Sequence, residues 1–103
     1  MVTLEKLGER FHYPTGDYID RYTFLVDGKK VNSMHMDKHT DFRKGKKLVY
    51  FHISWYESWD KTSKKIIGDI ICKHCTTLQQ AKDFVEKMVE AGGYEAHGMI
   101  WAA

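Results

Sequence analysis

Alternation is clearest in residues 48–59, where Val49, Phe51, Ile53 and Trp55 occupy one phase and Tyr50, His52, Ser54 and Tyr56 the other. A period of two sends successive side chains to opposite faces of a strand, so the first set is predicted to be core and the second to face outward. Residues 21–26 repeat the pattern, with Tyr22, Phe24 and Val26 on one face. Asp27-Gly28 follows, a dipeptide that favours a tight hairpin, and joins this strand to a second at residues 31–36. Two registers are open. A four-residue loop sets Val26 opposite Val31 and a two-residue loop sets it opposite Lys29; the choice decides whether the methionines or Ser33 and His35 point inward.

Residues 66–72 carry isoleucines in both phases, which predicts a central strand covered on both sides. Its cover comes next. Leu78, Ala81, Phe84, Val85, Met88 and Val89 recur at helical spacing, predicting a helix over residues 78–91. A capping box of Thr77 with Gln80, or of Thr76 with Gln79, starts it, and Gly92-Gly93 offers the left-handed residue that ends one. Residues 94–102, with Met99-Ile100-Trp101, return as a final strand.

The remaining stretches carry weaker patterns. Val2, Leu4 and Leu7 ahead of Gly8 fit a short helix or a frayed edge strand equally well, and Tyr13-Pro14-Thr15-Gly16-Asp17 has the chemistry of a turn. Residues 37–47 are polar and basic with no apolar period, and read as a long loop. The fold class expected is α+β: an antiparallel β-meander of four strands, one C-terminal helix packed on one face and a final strand, in the order β-β-β-β-α-β.

Composition narrows this picture. At 103 residues the chain suits a single domain, residues 1–103, with one core that needs no metal or disulfide staple. A hydrophobic fraction of 43% and an aromatic fraction of 14% belong to a folded protein. The formal charge is +2, so any basic surface for nucleic acid must be local. No apolar run is long enough to cross a bilayer and the first residues lack a signal-peptide pattern, which predicts a cytoplasmic protein without a membrane partner.

Candidate chemistry centres on Cys72-Lys73-His74-Cys75. Two thiols three residues apart can hold zinc, exchange disulfides or pack as small hydrophobes, and packing is the default for free cysteines. In a meander, His35, His39, Cys72, His74 and Cys75 share one end of the sheet, so His35, His39, Cys72 and Cys75 offer the two imidazoles and two thiolates of a structural zinc site. Strands two and four lie about 10 Å apart, so the intervening loop has to fold back to close that site. A redox role fits less well, because two threonines separate Cys75 from the helix. His12, His52 and His97 have no patterned nucleophile or carboxylate beside them, and no hydrolase or nucleotide-binding motif occurs; an enzyme is not expected.

The outward set offers a second lead. Tyr50, His52 and Tyr56, flanked by Arg43, Lys44, Lys46 and Lys47, combine rings that stack on bases with cations that hold phosphates. Tyrosines with nearby arginine also anchor protein interfaces, and both features occur on ordinary solvated sheets. The helix opening Thr77-Leu78-Gln79-Gln80-Ala81-Lys82 after a hairpin resembles those of small accessory proteins of phages and mobile elements. The expectation is therefore a non-catalytic binding or regulatory module of that phage-like kind. It takes a protein or single-stranded nucleic-acid partner and no cofactor; the alternative is a zinc-stabilised nucleic-acid-binding domain.

Overall fold

In the computed structural model, which describes residues 1–60 and 65–90, five antiparallel strands pair in chain order. They are β1 (Val2–His12), β2 (Tyr18–Val26), β3 (Lys29–Arg43), β4 (Lys46–Asp60) and β5 (Lys65–Cys75), followed by the helix α1 (Leu78–Glu90). The α+β meander with one helix matches the sequence reading; the number and extent of the strands do not. The expected final strand, residues 94–102, and the Gly92-Gly93 stop lie outside the described residues. No described helix is long and apolar enough to cross a membrane.

The N-terminal stretch is an edge strand of eleven residues, pairing Val2 with Val26 and Leu4 with Phe24. Its alternation fails beyond Leu7 because the pairing shifts there, from Leu7 opposite Arg21 to Phe11 opposite Ile19. Residues 37–47 are not a loop. They complete β3 and begin β4, joined by a two-residue turn at Lys44 (φ 50°) and Gly45 (φ 76°). Two successive positive φ values make the primed turn whose twist suits a hairpin, and the same pair recurs at Asp27 (φ 50°) and Gly28 (φ 83°). Lysine seldom takes a positive φ, which is why this turn left no clear signature.

The β2–β3 hairpin combines features of both expected registers. The turn is the two-residue one, with Val26 opposite Lys29, yet by Thr23 the partner is His35. That irregularity sets Phe24 against the stretch from Val31 to Met34 and reverses the phase of β3. Val31, Met34 and Met36 therefore all point into the core, and His35 points out.

The core lies between one sheet face and α1, which packs on β1, β4 and β5. Phe24, Val31, Met34, Met36 and Ile53 are fully buried with Ala81 and Val85 of the helix, and the Phe84 ring lies 5.4 Å from that of Trp55. Of the predicted stripe only Leu78 is largely exposed. Thr77 caps the helix: its Oγ1 accepts the Gln80 amide hydrogen at 3.1 Å, while Gln80 Oε1 accepts from the Thr76 amide at 3.0 Å. β5 was expected to be central and covered; among the described residues it pairs with β4 alone and forms an edge. The helix follows β5 directly, and the added strand joined at the β2 side instead.

Candidate functional site

Among the described residues no helix lies on the second face of the sheet, and strand pairing arranges its side chains in rows. One runs Phe11, Ile19, His39, Tyr50; the next Leu7, Arg21, Asp37, His52, His74; a third Thr23, His35, Ser54, Cys72. Four rings meet where the first two rows pass over β3, β4 and β5. His39 stacks on Tyr50 with centroids 4.7 Å apart and planes 3° from parallel, and His52 meets both edge-on at 5.0 and 5.5 Å. His74 approaches from β5, its Nδ1 3.0 Å from His52 Nε2, so one ring donates a hydrogen bond and the other accepts it.

Carboxylates brace this group from the sides. Tyr50 donates its hydroxyl to Asp41 Oδ2 at 2.9 Å, and Arg21 donates two hydrogen bonds to Asp37 at 2.8 and 3.2 Å. Burial, reinforced by the hydrogen bond to Asp41, pushes the Tyr50 phenol up. Burial, then the positive form of His52, pushes His39 down; burial and Arg21 do the same to His35. Both histidines therefore stay neutral further into the acid range than a free imidazole.

A hollow of about 390 Å³ opens beside Tyr50, lined by Asp41, Arg43, Leu48, Tyr50, His74 and Thr76 among others. It exists because β5 stops at Cys75 while β4 runs on to Lys46, leaving a step in the sheet. The Arg43–Lys47 hairpin projects past this step. Arg43 sits 3.9 Å from Asp41, and no ion pair among the described residues uses Lys44, Lys46 or Lys47. The ring-lined hollow thus lies at the same end of the sheet as the cations of the Arg43–Lys47 hairpin, of which Lys46 has the phase of Tyr50 and Lys47 that of Val49.

The residues singled out from the sequence divide accordingly. Tyr50 and His52 lie in the ring cluster and Arg43, Lys44, Lys46 and Lys47 border it; the side chain of Tyr56 is outside the described ones. The zinc set is not brought together. Cys72 faces the open side, exposed, with its Sγ 3.5 Å from Ser54 Oγ, whereas Cys75 points to the helix side at 3% exposure opposite Phe51. Three residues apart on a continuous strand means opposite faces, and β5 extends through both cysteines. Burial pushes the Cys75 thiol up, which suits a packed thiol. His35 and His39 are on the Cys72 side, and among the described residues no three His, Cys, Asp or Glu side chains form a group that could hold a metal ion.

His39 and His74 were missed as parts of the ring cluster. The signal was the phase of residues 37–43: Asp37, His39, Asp41 and Arg43 face out, while Lys38, Thr40 and Phe42 alternate with them. Because the inward residues include lysine and threonine, no apolar period marked the strand. Comparison with protein-family models, curated proteins and solved structures finds no match for this chain.

Proposed function

We propose that this chain is a non-catalytic binding module whose open sheet face takes single-stranded nucleic acid. The observation that carries the reading is the hollow beside Tyr50, lined by Tyr50, His74 and Arg43, with the Lys44-Gly45 turn and Lys46 next to Arg43 at the same end of the sheet. An unpaired base extends the His39–Tyr50 stack or enters the hollow, and the adjacent cations take its phosphates. The volume lies within the roughly 300–1,000 Å³ of small-ligand sites, which suits one base better than a duplex. The near-neutral net charge makes this a local, salt-sensitive contact. We place the module in the cytoplasm, where its two thiols stay reduced, as an accessory protein of the phage-like kind.

The test is titration of a labelled single strand of about ten nucleotides at about 50 and 200 mM salt, with Tyr50→Ala and Lys46→Ala/Lys47→Ala as variants. Tyr50→Ala is expected to lose about 1–3 kcal/mol of binding at both salts. The lysine variant is expected to flatten the salt dependence by up to about two charges' worth. No binding at either salt overturns the reading, as does equal affinity in both variants.

A protein partner is the second reading, favoured by a separate depression of about 430 Å³ lined by Leu7, Phe11, Tyr13, Ile19, Arg21 and Asp37. Phe11 and Tyr13 stand exposed there with their rings 4.9 Å apart, the kind of aromatic anchor that interfaces use. Capture of a defined protein that is lost in Phe11→Ala and kept in Tyr50→Ala would favour it over the first.

A further inference from the structure

We propose that His52 and His74 form a two-imidazole site for a borderline divalent transition-metal ion such as Ni²⁺ or Zn²⁺, its remaining positions taken by water. The site shares His74 with the lining of the hollow and no residue with the cysteines, and its test uses the metal alone, so its failure is distinguishable from failure of the nucleic-acid reading. Its basis is the 3.0 Å separation of His52 Nε2 and His74 Nδ1 across directly paired positions of β4 and β5. Two nitrogens bound tetrahedrally at 2.0–2.1 Å stand about 3.3 Å apart, so the pair opens by only a few tenths of an ångström to admit the ion. Imidazole suits nickel, copper and zinc, and must be neutral to bind.

The surroundings fit a site of two convergent nitrogens. The His39 ring, stacked on Tyr50, lies 5.0 Å from that of His52 and leaves the two paired nitrogens facing each other. Asp37, opposite His52 in the same row, is taken by both hydrogen bonds from Arg21 and is not a ligand. The hydrogen bond between His52 and His74 is exposed, so water completes the coordination. On binding, the proton shared between the two rings moves to the far nitrogen of the ring that carried it, and no net proton is released from the neutral pair.

Calorimetric titration of Ni²⁺ alone into the untagged chain at about pH 7.5 tests the site. One equivalent is expected to bind, with His52→Ala and His74→Ala each weakening it at least about tenfold and Cys72→Ser changing it less than about threefold. In the unaltered chain, paramagnetic Ni²⁺ is expected to broaden the imidazole proton signals of His52 and His74 before those of His12 and His35. That measurement needs no variant to fold. No saturable binding below about 1 mM overturns the site, and so does wild-type affinity in either histidine variant or earlier broadening at His12 or His35.

Discussion

Alternate residues of β4 belong to two environments. Phe51, Ile53 and Trp55 are buried on the α1 side, while Tyr50, His52 and Ser54 stand on the face that no described helix covers. The covered face is held by burial, which asks little of direction; most of its members need only be apolar and of suitable size. The open face is held sideways, by pairs that cross from strand to strand: Arg21 to Asp37, Tyr50 to Asp41, His52 to His74, Ser54 to Cys72. The covered face supplies most of the stability, and the open one carries a polar surface whose contribution is smaller. A binding site can therefore change there without unfolding the sheet.

Breaking the covered face should cost most. Phe24→Ala, at a position with no exposure, is expected to lose about 3–5 kcal/mol in urea unfolding, a large part of what a small domain has. The two cysteines sharpen the contrast on a single strand. Cys75→Ser places a hydroxyl among buried apolar groups and is expected to cost about 1–3 kcal/mol, against less than about 0.5 for Cys72→Ser. In the native protein a thiol reagent should titrate Cys72 rapidly and Cys75 only on unfolding.

Thr40 is an exception on the covered side. At 1% exposure its Oγ1 has no hydrogen-bond partner among the described residues, so Thr40→Val should stabilise by about 1 kcal/mol and raise Tm by roughly 4–8 °C in calorimetry. A lower Tm would mean that the hydroxyl is satisfied after all.

The smallest effects should separate the faces by pH. Hydrogen bonds from Arg10 at 2.9 and 3.1 Å hold the nearly buried Asp20 carboxyl below its usual range. The unfolded chain takes up that proton first, so the stability it contributes is full above about pH 4 and is lost as pH falls through the lowered native value. His35 and His39, also lowered, act in the same direction in a higher window: their contribution is full above about pH 6.5 and declines below it. Stability measured by denaturant across pH should therefore fall in two stages. His35→Ala/His39→Ala should remove the upper stage and Asp20→Asn the lower; a single unchanged stage in both would contradict the assignment.

The legible parts were those whose signal is local. The inward phase of Val49, Phe51, Ile53 and Trp55, the apolar stripe of α1 and its Thr77 cap depend on residues a few positions apart, and each was read correctly. What misled was neighbourhood. The polar character of residues 37–47 suggested a loop, but these residues pair along β3 and β4, where Thr40 is buried and a lysine takes the turn. Isoleucine in both phases of residues 66–72 suggested a central strand; among the described strands β5 pairs with β4 alone, a matter of strand order that composition does not set.

From the sequence alone came an α+β chain, the inward face of β4, the amphipathic helix and a Tyr50–His52 lead beside a basic segment. The tertiary structure decided the ring cluster and dispersed the zinc set. Both outcomes follow from register, because a strand shifted by one residue turns every side chain to the other face. The β2–β3 irregularity sent His35 outward and the methionines inward, the Lys44-Gly45 turn brought His39 against Tyr50, and the continuation of β5 parted Cys72 from Cys75. Those shifts are set by pairing between distant segments, where short-range periodicity carries no information.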